Sequence, residues 1–70
     1  NSKAYFDGEI LRILNAENSI ATIREITGRL ISTGKVTSTA QEFSLTAPKG
    51  VYLITLQSED NKSITLKVIK

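Results

Sequence analysis

The stretch from Val51 to Lys70 constrains the fold more than any other. Tyr52, Ile54 and Leu56 alternate with Val51, Leu53 and Thr55, and further on Ile64, Leu66 and Val68 alternate with Thr65 and Lys67. A period of two, carried by β-branched and aromatic residues, belongs to strands, whose successive side chains point to opposite faces. The first run is apolar on both faces and predicts a central strand; the second is amphipathic. Facing residues of an antiparallel pair share a sheet face, so Leu56 is expected opposite Ile64, Ile54 opposite Leu66 and Tyr52 opposite Val68. That register sets Ser58 against Lys62 and leaves Glu59-Asp60-Asn61 as a three-residue loop. Such loops close on a residue in the left-handed region, which Asn tolerates best after Gly. A positive φ is predicted at Asn61.

The alternation recurs upstream. Phe43 and Leu45 alternate with Glu42, Ser44 and Thr46, and Ala47-Pro48-Lys49-Gly50 then forms a turn. Another run extends from Ile20 to Ile26 and resumes past Thr27-Gly28 with Leu30 and Ile31. Its apolar parity switches from odd to even between Ile23 and Ile26, which predicts a bulge or bend near Gly28. Between Glu9 and Leu14 the apolar positions fit a helix (Ile10, Ile13, Leu14) or a strand (Leu11, Ile13). The polar cluster Asn15 to Ser19 limits this run to about six residues, short for a stable helix, so a strand is expected. Thr37 to Gln41 reads as a polar connector. Residues 1–8 are expected to be a linker or loosely ordered start, and residues 9–70 a single domain. The result is an all-β chain of five or six short strands, a small antiparallel β-sandwich, with a five-stranded barrel as the alternative.

Composition narrows the chemistry. A chain of 70 residues buries roughly 60% of its unfolded surface, enough for one thin core and no deep cleft. Apolar residues at 40% and charged ones at 23% belong to a folded chain. A formal charge of +2 is too small to imply nucleic acid or an anionic membrane as partner. With no histidine or cysteine, thiolate and imidazole metal sites and the commonest nucleophile–base pairs are excluded. No apolar run approaches the ~20 residues that cross a bilayer, so no membrane insertion is expected. The chain begins at Asn1 rather than methionine and is expected to be a fragment or processed piece of a longer protein.

The remaining candidates are weak. Glu59 and Asp60 share a turn, while Asp7, Glu9 and Glu17 flank strands; hard cations take such oxygens, but dense Asp-x-Asp spacing is absent. Serines and threonines are numerous and have no base beside them. Gly28, Gly34 and Gly50 are too dispersed to cradle a phosphate. Of the aromatics Tyr5, Phe6, Phe43 and Tyr52, the last two fall at inward strand positions and are expected in the core rather than on a stacking platform. No catalytic, cofactor-binding or metal-binding residue is expected, and no enzyme activity. Lys62, Lys67 and Lys70 place three positive charges and no acid in the final nine residues. They read either as protection of an edge strand or as a cationic handle for a receptor.

The order of the pieces resembles a known family. EITGRLISTGKV, a polar spacer, FSLTAPKGVYLITL, a turn and KSITLKVIK together resemble the C-terminal sorting domain (type A) of the type IX (Por) secretion system of Bacteroidota, over roughly residues 9 to 70. Ile23, Ile26, Gly28, Arg29, Leu30 and Ile31 match its aliphatic–glycine–aliphatic step. Leu45, Pro48, Gly50, Val51 and Tyr52 match its Pro-x-Gly-aliphatic-Tyr step, and Lys67 and Lys70 its closing strand. Ala47 and Glu25 depart from the residues common there, leucine and aspartate or asparagine.

The resemblance implies a small antiparallel immunoglobulin-like β-sandwich of about six or seven short strands that acts as an address label. Cargo would reach the periplasm by a separate N-terminal signal and cross the outer membrane through the translocon, to be secreted or held at the cell surface. A sortase-like peptidase commonly removes such a domain. Gly28, Pro48, Gly50, Tyr52, Lys67 and Lys70 are the recognition residues the resemblance implies. A terminal edge strand would suit strand addition by a receptor, or a homodimer through the exposed edge. The alternative is an immunoglobulin- or fibronectin-like accessory or binding module, which fold alone does not distinguish.

Overall fold

The computed structural model describes residues 1–70. Seven strands follow in order: β1 (Lys3–Asp7), β2 (Ile10–Leu14), β3 (Ile20–Glu25), β4 (Leu30–Lys35), β5 (Ala40–Ser44), β6 (Val51–Gln57) and β7 (Ser63–Ile69), with no helix. They form two antiparallel sheets, one of order β1-β2-β5 and one of order β4-β3-β6-β7. The fourth strand pairs with the third instead of joining the β1-β2-β5 sheet, as it does in a constant-type immunoglobulin domain.

Alternation explains which side chains go in. Leu11 and Ile13 from the three-stranded sheet face Ala21, Ile23, Tyr52, Ile54, Leu56 and Val68 from the other, and Val36 and Leu45 complete the buried cluster. Leu11, Ile13, Ile23 and Ile54 are wholly buried, each contributing about 1.5–3 kcal/mol. Gly34 lets the sheets close over β5: a Cβ there would stand 2.7 Å from Phe43 Cε1.

The β6–β7 hairpin has the register that the sequence predicts, with Tyr52 opposite Val68, Ile54 opposite Leu66 and Leu56 opposite Ile64. Ser58 N donates to Lys62 O at 2.8 Å, and Asn61 has φ 62°. β6 is central and β7 lies at the edge. Residues 9–14 contain a strand, β2, as expected.

One feature differs from the sequence reading and one, near Gly28, agrees with it. The opening segment is not a loose lead-in: β1 pairs with β2 from Lys3–Leu14 to Asp7–Ile10. Ala4 and Phe6 pack against the core, and two inward residues in a five-residue strand give too short an alternation to stand out in the sequence. Near Gly28 both a bend and a bulge are present. Gly28 has φ 96° in the β3–β4 turn, and the register slips so that Ile23 faces Ser32 while Arg24 faces Leu30. The even-parity residues beyond the slip do not enter the core, since Ile26 is 58% and Leu30 51% exposed.

Candidate recognition site

The six residues implied as recognition residues gather at one end of the sandwich, where the β3–β4 turn, the β5–β6 corner and the end of β7 meet. Glu25, at the end of β3, lies opposite Tyr52. Ile26 N bonds Val51 O at 3.2 Å, and Lys70 N bonds Gly50 O at 2.8 Å. Gly28 is thus carried beside the start of β6, with Pro48 and Gly50 on the approach to it.

Within this cluster the six divide by exposure. Tyr52 is buried, only 2% exposed. Its hydroxyl donates to Pro48 O at 2.5 Å, and its ring meets Phe6 with centroids 5.6 Å apart and planes tilted by 57°. A tyrosine near the start of the sixth strand, bonded to backbone a few residues upstream, is the tyrosine corner of immunoglobulin-like sandwiches. It clamps the crossover between the sheets.

Lys70 departs from both sequence readings of the terminal lysines. Its side chain is only 6% exposed and folds inward from the end of β7. Nζ donates to Glu9 Oε2 at 3.0 Å, to Leu45 O at 3.3 Å and to Ala47 O, and it lies 5.8 Å from the centre of the Phe6 ring. A buried ammonium needs such partners, because an unpaired charge away from water is costly. Lys70 therefore ties the last strand to the β1–β2 turn and the β5–β6 corner, beside a hollow of about 300 Å³. The cage residues Phe6, Glu9, Leu45 and Ala47 were missed at the sequence level. Glu9 lies 61 residues away, and no local pattern announces such a contact.

Gly28, Pro48, Gly50 and Lys67 are exposed. Lys67 stands on the outer face of the four-stranded sheet, directly across from Leu53. The Gly28 turn is fixed by an ion pair: Arg29 Nη2 lies 2.6 Å from Glu25 Oε2, and Thr27 bonds the other carboxylate oxygen at 3.1 Å. Hydrogen bonding from Arg29, aided by Thr27, holds the Glu25 carboxyl below the usual carboxylate range, and the same pair raises Arg29. At the far end of the sandwich the hydroxyl of Ser58 lowers Asp60. No group of three or more carboxylates converges in a way that could hold a metal, and no helix is long and apolar enough to cross a membrane.

β7 is also the edge strand of its sheet, with no strand hydrogen-bonded on its outer side, and β1 of the other sheet runs close beside it. The Lys70–Gly50 and Ser58–Lys62 bonds fix the ladder phase, so the even residues of β7 bond to β6. The N–H and C=O groups of Ser63, Thr65, Lys67 and Ile69 point away from it.

Comparison with known proteins gives one family match: the model of the secretion system C-terminal sorting domain fits residues 8–70. No curated protein matches the sequence.

Proposed function

The chain belongs to the secretion system C-terminal sorting domains, the secretion signal of the type IX system, and on that premise we propose how its structure serves the role. The signal is recognised by the type IX machinery and directs export across the outer membrane, toward the cell surface or the medium. In our reading the cargo precedes the domain and first reaches the periplasm by its own N-terminal signal. The folded sandwich is then engaged, and after crossing a sortase-like peptidase removes it. Its part is to be recognised, without chemistry of its own.

The match over residues 8–70 carries this reading. The edge position of β7 supports strand addition as the way it is engaged, because four residues there offer unpaired backbone groups in one line. A homodimer through the same edge would occupy those groups, so we place dimerisation in competition with recognition. Of the six residues implied by resemblance, Gly28, Pro48, Gly50 and Lys67 are accessible to a partner. Tyr52 and Lys70 act on recognition by holding the surface in shape.

The test is a fusion of residues 1–70 to a periplasmic reporter, expressed in hosts with and without an intact type IX translocon. The reading expects reporter outside the cell, shortened by the whole domain, only in the intact host. In the deficient host it expects full-length fusion in the periplasm. Reporter retained in the periplasm of both hosts contradicts it.

A further inference from the structure

The two outer faces of the sandwich are chemically unlike. On the three-stranded sheet the outward charged residues are Lys3, Asp7, Arg12 and Glu42, two of each sign. Arg12 faces Glu42 across β2 and β5, bonds it, and reaches Asp7 at 3.4 Å. Both carboxylates of that face are paired with Arg12, Lys3 stands unpaired, and the charges of the face balance.

The charges on the outer face of the four-stranded sheet do not balance. The register sets Leu30, Arg24, Leu53 and Lys67 in one row across the four strands. Thr33, Thr22, Thr55 and Thr65 form the next row, and Lys35, Ile20, Gln57 and Ser63 the one beyond. Arg24, Lys35 and Lys67 are its charged residues, no carboxylate stands among them, and none takes part in an ion pair. Arg24 bonds only a backbone carbonyl, Gly28 O at 3.2 Å. With strands spaced about 4.8 Å apart, Arg24 and Lys67 bracket Leu53 at roughly 10 Å. Leu30, in this row, is 51% exposed, and Ile26 and Ile69 beside it are 58% and 71% exposed.

We propose that the Leu30–Arg24–Leu53–Lys67 row, with Ile26 and Ile69 beside it, is a docking surface for a protein partner presenting apolar side chains ringed by carboxylates. This rests on the sorting-signal reading, and the partner is a component of the secretion machinery. Two like charges held beside exposed apolar residues, without a local counter-ion, are complementary to an acidic-rimmed apolar surface. The patch also continues into the outer edge of β7, so one partner can take side chains and backbone together. An anionic membrane fits less well, since lipid recognition by charge takes clusters of about 4–8 cations and this face has three.

The experiment exports the residue 1–70 fusion carrying Arg24→Glu/Lys67→Glu, beside a fusion carrying Lys3→Glu on the other face. Thermal melts and binding to vesicles of phosphatidylglycerol and phosphatidylcholine are measured on the isolated chains. Docking through this face predicts a fall in exported reporter of about tenfold or more for the double variant, an unchanged melt, parental export for Lys3→Glu, and no vesicle binding. If the double substitution lowers the melt, Arg24→Gln/Lys67→Gln replaces it, with the same direction of effect expected. Parental export of the charge variant, equal loss from both faces, or vesicle binding that the double substitution abolishes overturns the proposal. Failure of the unsubstituted fusion to be exported refutes the sorting reading itself, a result distinct from these.

Discussion

Lys70→Met separates a buried tie from a handle read by a receptor. Methionine keeps an unbranched stem beside Phe6 and removes the ammonium, so Glu9 and the carbonyls of Leu45 and Ala47 lose their donor. Hydrogen bonds to a charged group contribute about 1.5–3 kcal/mol each. Glu9 is 60% exposed and rehydrates once released, so its share shrinks to the ~0–1 kcal/mol of a surface pair. The two carbonyls are partly buried and recover less. Relief of the ammonium's desolvation offsets part of the loss. The net destabilisation is about 2 kcal/mol, which in a domain this small lowers Tm by about 8–16 °C. Far-UV circular dichroism melts of both chains measure it, and export of the fused reporter should fall only as far as the folded fraction does. A Tm within about 2 °C of the parent together with abolished export would refute the reasoning and restore Lys70 as a contact residue.

Tyr52→Phe removes the bond to Pro48 O and should cost about 1 kcal/mol in urea unfolding, with the ring's packing intact; an unchanged midpoint would show that the corner is not held by the hydroxyl. A chain cut to residues 8–70, the span of the family match, loses β1 with Ala4 and Phe6. Phe6 is only partly buried, so its loss should cost less than the ~3–5 kcal/mol of a fully buried Phe; with the β1–β2 ladder lost as well the shortened chain should melt lower, and equal stability would show β1 to be dispensable. The acid response follows from Glu25 and Asp60, whose carboxyls titrate lower folded than unfolded. Their contribution is present above the unfolded values near pH 4 and is lost as pH falls through the lower folded values. The urea midpoint should therefore hold from neutral pH to about 5 and decline below about 4, less steeply in Glu25→Gln; a midpoint that rises on acidification contradicts this.

The legible parts of the fold were those carried by local periodicity. Tyr52, Ile54 and Leu56 against Val68, Leu66 and Ile64 had to be paired in that register because a one-residue slip would turn the apolar set to solvent, and the loop length then put Asn61 in the left-handed region. β1 was not legible because Ala4 and Phe6 make only one step of alternation. The irregularity at Gly28 announced itself as a parity switch, but parity alone does not say which residues end up outside. The site was legible only as a set of residues. Lys67 and Lys70 look alike in sequence, yet one stands beside Leu53 and the other turns under Phe6, a difference made by contacts with Glu9 and Ala47 that no spacing encodes. The unequal charge of the two faces was hidden for the same reason, since it emerges only when rows from four strands are laid side by side.

The most direct test of the account is to install a photo-crosslinking residue at Thr65, on the outer face beside the outer edge of β7, and separately at Glu42 on the opposite face. Each is carried by the cargo fusion in a host with an intact type IX translocon. The account predicts adducts with components of the machinery from position 65 and none from position 42. Adducts from position 42 alone, or equally from both, would contradict it.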